Sequence, residues 1–226
     1  APIARDAEGK VIYDKRGNPL PMYFNYGGRN YQFQGGDVIY EDINHDGNID
    51  ELDIVYLGSS NPDINGGFNI DFNYGRWRLK TRFSYRLGNK ILNMARLYAE
   101  DMRTNKNQCA SVSHRWRKNG DDTRIPRAMN QAAGTSYNAL VSDRYVEPGD
   151  FLRMNNIQLS YSVDPAKLKK WGLSQLNLSA SADNIFFITK YSGTDPEHSA
   201  YGFNPCVDNN STPRSRSFTF SLNFGF

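Results

Sequence analysis

Residues Asp42-Ile43-Asn44-His45-Asp46-Gly47-Asn48-Ile49-Asp50-Glu51-Leu52-Asp53 place side-chain oxygens at the first, third, fifth, ninth and twelfth positions of a twelve-residue loop. Gly47 stands at the sixth position, where a sharp bend is needed, and Asn48 at the seventh would offer its backbone carbonyl. Ile49 fills the eighth. This is the EF-hand spacing, which gathers roughly 6 to 8 hard oxygens around one calcium ion. The predicted metal ligands are therefore Asp42, Asn44, Asp46, Asn48, Asp50 and Asp53, with a structural Ca2+ pinning the loop. Two features depart from the pattern. Asp53 is shorter than the usual glutamate, and the flanks Val38-Ile39-Tyr40 and Ile54-Val55-Tyr56-Leu57 read as strands instead of helices. The competing reading is an acidic turn held by Asx hydrogen bonds.

No other group of residues has the spacing of a reactive site. His45, His114 and His198 lie in separate loops, and a structural role is predicted for each. Asp195 and Glu197 are two apart on an extended segment, so their side chains are expected to diverge and not to form a hydrolytic carboxylate pair. Ser-His-Asp, phosphate-loop and zinc signatures are all missing, so no catalytic residue is assigned and the chain is not expected to be an enzyme. Cys109 and Cys206 are too few for a disulfide framework or a metal knuckle. They fall in loops predicted on the same side, which allows a disulfide between them.

The elements that must carry these loops follow from composition and periodicity. The 226 residues are 38% hydrophobic and 13% aromatic, with 14 Tyr and 13 Phe, a mean hydropathy of -0.68 and a formal charge of +3. Uninterrupted apolar runs such as Ile185–Ile188 are far too short for a transmembrane helix, which needs about 20 residues. A charge of +3 without a basic block argues against nucleic acid as a partner. Six acids and no Lys or Arg fall within residues 41–53, so the rest of the chain is distinctly basic. The chain starts in polar, loop-like sequence and reads as a processed protein or a piece of a longer one.

Residues 1–65 are expected to be an extracellular loop region containing the acidic loop 42–53, with residues 1–40 extended and rich in turn formers. Beyond them, apolar and polar residues alternate in five stretches, about 66–74, 77–87, 150–163, 174–186 and 214–226. Period two puts Phe68, Ile70, Phe72 and Tyr74 on one face of a strand, and Phe218, Phe220, Leu222, Phe224 and Phe226 on one face of another. Residues 77–87 oppose an apolar set to Arg78, Lys80, Arg82 and Arg86. The connections alternate between short (75–76, 164–173) and long (88–149, 187–213). Within the longer of these, residues 90–102 have helix-like spacing. A soluble sandwich would also alternate, but short turns at one end and long loops at the other are the rhythm of an outer-membrane barrel. In that reading Arg78, Lys80, Arg82 and Arg86 face a hydrated lumen. Five strands cannot close a barrel, since about eight is the smallest workable number, so the rest of the wall must come from elsewhere.

Several segments resemble a known family. They are 37–50 (DVIYEDINHDGNID), 57–62 (LGSSNP), Gly66-Gly67-Phe68, 142–157 (SDRYVEPGDFLRMNNI), 182–197 (ADNIFFITKYSGTDPE) and 213–220 (PRSRSFTF). In order and spacing, residues 37–226 are similar to the C-terminal third of SusC/RagA-family TonB-linked outer-membrane transporters of Bacteroidetes. The resemblance implies an all-β fold: C-terminal strands of a 22-stranded antiparallel transmembrane barrel, plugged by a domain not present in these residues. It implies an importer of glycan fragments or oligopeptides in the bacterial outer membrane. Its implied partners are a SusD-like surface lipoprotein, TonB reached through other regions, the plug, the remaining barrel strands and outer-membrane lipid. Phe226 would be the assembly signal of the closing strand. The runner-up is a soluble, extracellular, calcium-stabilised β-sandwich binding module.

Overall fold

A computed structural model of the chain describes residues 1–129, 137–197 and 206–226. His198 and parts of the two long connections lie outside the described residues. The chain divides into two compact units, residues 1–57 with 95–143 and residues 58–94 with 144–226.

The first unit begins with a short ladder where the sequence pattern predicts extended loop. Asp6 and Asp14 each head a turn closed by a glycine three residues later, Gly9 and Gly17, both at positive φ. The Asp6 and Asp14 carboxylates accept the N–H groups of Lys10 and Asn18, both at 2.8 Å. The same Asp-x-x-Gly motif, repeated eight residues on, thus folds residues 3–21 back on themselves through the bridges Ile3–Pro21, Arg5–Val11 and Tyr13–Pro19. Strands β1 (Tyr23–Tyr26) and β2 (Arg29–Gln32) form a hairpin, and β3 (Asn48–Ile49) pairs with β1 in parallel. Ala4, Met22, Phe24, Phe33 and Ile49 make the buried core of this unit.

The neighbours of the acidic loop differ from expectation. Neither 38–40 nor 54–57 is a strand, and residues Glu51–Asp53 form a 3-10 turn instead. β-propensity without a partner strand leaves backbone groups unpaired, so these apolar flanks stay irregular. The helix (α1) is Met94–Glu100, shorter than the periodic stretch 90–102. The first residues of that stretch, Lys90–Asn93, belong to a strand of the second unit.

The second unit is built on one meander of five long strands, β4 (Ile64–Tyr74), β5 (Trp77–Leu87), β8 (Phe151–Ser162), β9 (Gln175–Thr189) and β11 (Ser217–Gly225), each antiparallel to the next. Gly75 at φ +59° makes the two-residue turn between β4 and β5, a conformation that a side chain would strain. The β8–β9 connection holds α2 (Pro165–Leu168), capped by the Asp164 carboxylate, and a 3-10 turn Lys169–Trp171. At the other end, β6 (Lys90–Asn93) lies between β7 (Val146–Pro148) and β10 (Val207–Asp208) in a small sheet. No helix among the described residues is long and apolar enough to cross a membrane.

Candidate functional site

Straight register across the five-stranded sheet assembles the alternating residues into rows. On one face run Tyr74–Trp77–Tyr161–Leu178–Leu222, then Phe72–Leu79–Leu159–Ala180–Phe220, then Ile70–Thr81–Ile157–Ala182–Phe218. On the other face run Asn73–Arg78–Ser160–Ser179–Ser221, Asp71–Lys80–Gln158–Ser181–Thr219 and Asn69–Arg82–Asn156–Asp183–Ser217. The apolar rows are uncovered: Phe72, Tyr74, Phe218 and Phe220 are all exposed, Phe220 at 84%. In water such a face would have to be buried by a second layer, because large contiguous apolar surface is not left wet.

The basic residues of β5 share the polar face. Arg78 donates to both carboxylate oxygens of Asp71, at 3.0 and 2.5 Å, which neutralises it on the neighbouring strand. Lys80 stands opposite Asp71 on one side and Gln158 on the other, and Arg82 opposite Asn69 and Asn156. Arg86 lies over the Phe151 ring, 5.5 Å from its centroid, a cation–π contact.

Two irregularities re-aim the far end of this face. The register shifts at Asn155 of β8, and Asn184 of β9 adopts φ +51°. β-bulges of this kind insert one residue and rotate the remainder of the strand. The consequence is that Arg153 joins the charged face, where it is 2% exposed. Its guanidinium lies near the rings of Phe151 and Phe187 and pairs with Asp195 through Nη2 and with Glu197 through Nε, the latter at 3.0 Å. Glu197 also pairs with Arg214 at 3.0 Å. The expected divergence of Asp195 and Glu197 does not occur; both turn to one guanidinium, because Asp195 also accepts the N–H of Glu197 in a tight turn. Both carboxylates are thereby engaged in ion pairs. The only sequence signal for this network was the presence of Arg153 and of Asp195-Pro196-Glu197 in two of the family-like segments.

A second polar cluster underlies the small sheet. Glu147 accepts the Ser192 N–H and hydroxyl, both at 2.8 Å, and the Asn93 amide at 3.3 Å. Tyr191 donates to Asp208 at 2.5 Å. Burial, reinforced by that carboxylate, pushes the Tyr191 phenol far above its ordinary range. Cys206 is buried, with Asn89 donating to its sulfur at 3.5 Å and its thiol reaching the Ser60 carbonyl at 3.3 Å. Cys109 sits 2.9 Å from the Ser111 hydroxyl. Both are free thiols, so the disulfide allowed by the sequence is not formed.

In the first unit, the acidic loop is folded by its own backbone. Asp42 accepts the N–H groups of Asp46 and Gly47 at 3.2 and 2.8 Å, and Asn44 that of Asp46 at 3.1 Å. Asp46 accepts from Asn48 at 2.7 Å, and Asp50 from Leu52 at 2.8 Å. Asp53 accepts from Ile43 and Asp50 at 2.8 and 2.9 Å, closing the loop across its mouth. Gly47 takes φ +85°, as the sixth position requires. Among the described residues no three carboxylate, imidazole or thiol groups converge as a metal cage.

Close by in sequence, Asp37 is the hub of a further knot. Tyr31 donates to it at 2.7 Å, Arg127 at 2.6 Å, the Asn138 amide at 3.0 Å and the Gln34 N–H at 2.8 Å. Burial alone would raise the Asp37 pKa, but the donors from Arg127, Gln34, Tyr31 and Asn138 outweigh it and hold the carboxyl below its usual range. Burial and the Asp37 charge push the Tyr31 phenol up to about 12.

Long antiparallel strands with one uncovered aromatic-rich face and one charged face, joined alternately by short and long connections, have the pattern of strands in the wall of a transmembrane β-barrel. Known proteins point the same way. No family model matches the chain. TonB-dependent receptor P39 of Formosa agariphila is 32% identical over 209 residues, 87% of this chain and 19% of the relative. TonB-dependent receptor P3 of the same organism is 29% identical over 199 residues, 84% of this chain and 19% of the relative. The chain thus spans about a fifth of the length of the curated relatives it matches. Among solved structures, the RagAB peptide importer in its closed-closed state aligns with TM-score 0.65 at 20% identity, over 95% of this chain and 20% of the other. The open-open state aligns with TM-score 0.63 at 23% identity, over 75% and 18%. Over most of its length the chain is homologous to TonB-dependent receptors, and its fold is that of the matching fifth of the RagAB transporter, in keeping with the SusC/RagA resemblance of residues 37–226.

Proposed function

We propose that the chain forms the C-terminal wall of a TonB-dependent outer-membrane importer of nutrients. The observation that carries this reading is the two-faced sheet in a homologue of TonB-dependent receptors. Those receptors are outer-membrane proteins, and an uncovered apolar face suits hydrocarbon as it does not suit water. The opposite face, with Arg78, Lys80, Arg82 and Arg86, would line the hydrated interior and meet the plug supplied by the rest of the protein. The long connections would face outward, towards a SusD-like lipoprotein lid, and the short ones the periplasm, where TonB pulls on the plug. Phe226, 89% exposed beside Phe224, would serve as an assembly signal. Cargo would be glycan fragments or oligopeptides, the RagAB neighbours being peptide importers. The role is transport, with no bond chemistry. Expression of the full-length protein in its host, followed by membrane fractionation and heat-dependent mobility in gels, tests the barrel. Deletion strains assayed for growth on single glycans or peptides test the cargo. Recovery in the soluble fraction would overturn the reading.

The acidic loop would be an outward-facing calcium site within this wall. Its complete oxygen spacing, the Gly47 bend and the inward fold of Asp42, Asn44 and Asp46 support that role, and each carboxylate oxygen retains a lone pair for a cation. Bound Ca2+ would draw the side-chain oxygens of Asp42, Asn44, Asp46, Asp50 and Asp53, with the Asn48 carbonyl, into one cluster. Titration of the chelator-treated protein with calcium in a calorimeter should give heat that D42N/D46N abolishes; no heat in the unmodified protein would sink the site.

A further inference from the structure

The apolar face is not flat. Between Trp77 and Tyr161 on the β5–β8 side and Phe220 and Leu222 of β11, a groove of about 370 Å³ opens over Ala180, with Leu159 and Leu178 in its walls. The hollow arises because Ala180 stands in a row whose other members are Phe72, Leu79, Leu159 and Phe220, so a methyl group occupies the place of a large side chain. Only rows near the short connections line it. Its end is the row Trp77–Tyr161–Leu178–Leu222, a few residues from the β8–β9 connection.

That connection is basic. Lys167, Lys169 and Lys170 are all exposed, and Trp171 is 74% exposed. From Pro165 to Ala182 there is no acidic residue. Asp164, just before, is already paired with Arg76 at 2.5 Å. Three exposed lysines, of which Lys167 also feels the Asp164 charge, and an exposed indole therefore belong to the connection that follows the groove's last row along β8 and β9, at the end of the sheet where short turns meet the periplasmic leaflet. Lysines beside a membrane surface attract anionic headgroups, and tryptophan favours the interfacial zone.

We propose that this groove and turn form a binding site for one anionic glycerophospholipid of the inner leaflet. An acyl chain lies over Ala180 between Tyr161 and Phe220, and the phosphate rests among Lys167, Lys169 and Lys170. The proposal rests on the barrel-wall reading.

The test is native mass spectrometry of the full-length transporter in detergent, titrated in parallel with phosphatidylglycerol and phosphatidylethanolamine of the same chains. The unmodified protein should retain the anionic lipid in preference, K167Q/K169Q/K170Q should lower that retention about tenfold or more, and A180F should displace it by filling the groove with the lysines intact. Equal retention of the two lipids, unchanged retention in both variants, or stronger binding of lipid A would overturn the site. Heat-dependent gel mobility is recorded for every sample. An unmodified protein with barrel-like mobility and no lipid preference counts against the lipid site alone, whereas one without such mobility counts against the barrel.

Discussion

Arg153 is a charge that the sheet can bury only because its neighbours supply two carboxylates. Removing one partner of a buried ion pair costs about 3–5 kcal/mol, since the remaining charge is left desolvated. Arg153→Met should therefore release the segment that carries Asp195 and Glu197, read as faster tryptic cleavage after the exposed Lys190 in the folded transporter. Arg153→Lys should fail to restore protection, because a single ammonium cannot serve Nη2 and Nε positions at once. Asp37 gives a pH-dependent counterpart. Its folded pKa is depressed, so its contribution is fully present above the unfolded value of about 3.9 and is lost as pH falls through the lower folded value. Tyr31, raised to about 12, contributes below about pH 10 and loses that contribution as pH climbs towards 12. The knot should hold across the neutral range and loosen below about pH 4. Hydrogen exchange of peptides spanning 33–40, corrected for intrinsic rate, should show that acid loss in the unmodified protein and no such step in Asp37→Asn.

At the scale of the strand, face matters more than residue type. Phe220 and Ser221 are neighbours in β11, yet one lies in the uncovered apolar rows and the other in the polar rows. An arginine at the lipid-facing midpoint of a barrel strand costs about 2–4 kcal/mol, falling towards zero near the interfaces. Phe220→Arg should reduce assembled protein in the outer membrane, and Ser221→Arg should be tolerated. Equal tolerance would mean that the Phe220 face is not in hydrocarbon. The bulge at Asn155 belongs to the same scale. Deleting Asn155 should remove the bulge and leave Met154 opposite Phe83 and Arg153 opposite Ser84 on the charged face, so assembly should be retained; loss of assembly would mean that the bend made by the bulge is itself needed.

For the whole molecule, the outer edges of β4 and β11 present unpaired backbone to whatever lies beside them, and an open edge is not tolerated in hydrocarbon. The 226-residue chain expressed alone should aggregate in buffer, measured by sedimentation, and the full-length protein should remain dispersed in detergent. A soluble monomer of the isolated chain would favour the sandwich reading.

The five long strands were legible in the sequence because period two is a local property, and their faces and the β4–β5 turn follow from it directly. The turn of the acidic loop was legible for the same reason, its Gly47 bend and Asx hydrogen bonds lying within twelve residues. Only the tertiary structure decided what depends on distant partners. Lys90–Asn93 abandons helical spacing because residues 146–148 and 207–208 offer strand edges, while 38–40 and 54–57 find none. Asp195 and Glu197 turn together because two bulges bring Arg153 to them from 42 residues away in the chain. Alternation records which side of a strand is greasy; an added residue that shifts its phase, and the charge it then buries, register only when the strands are laid side by side.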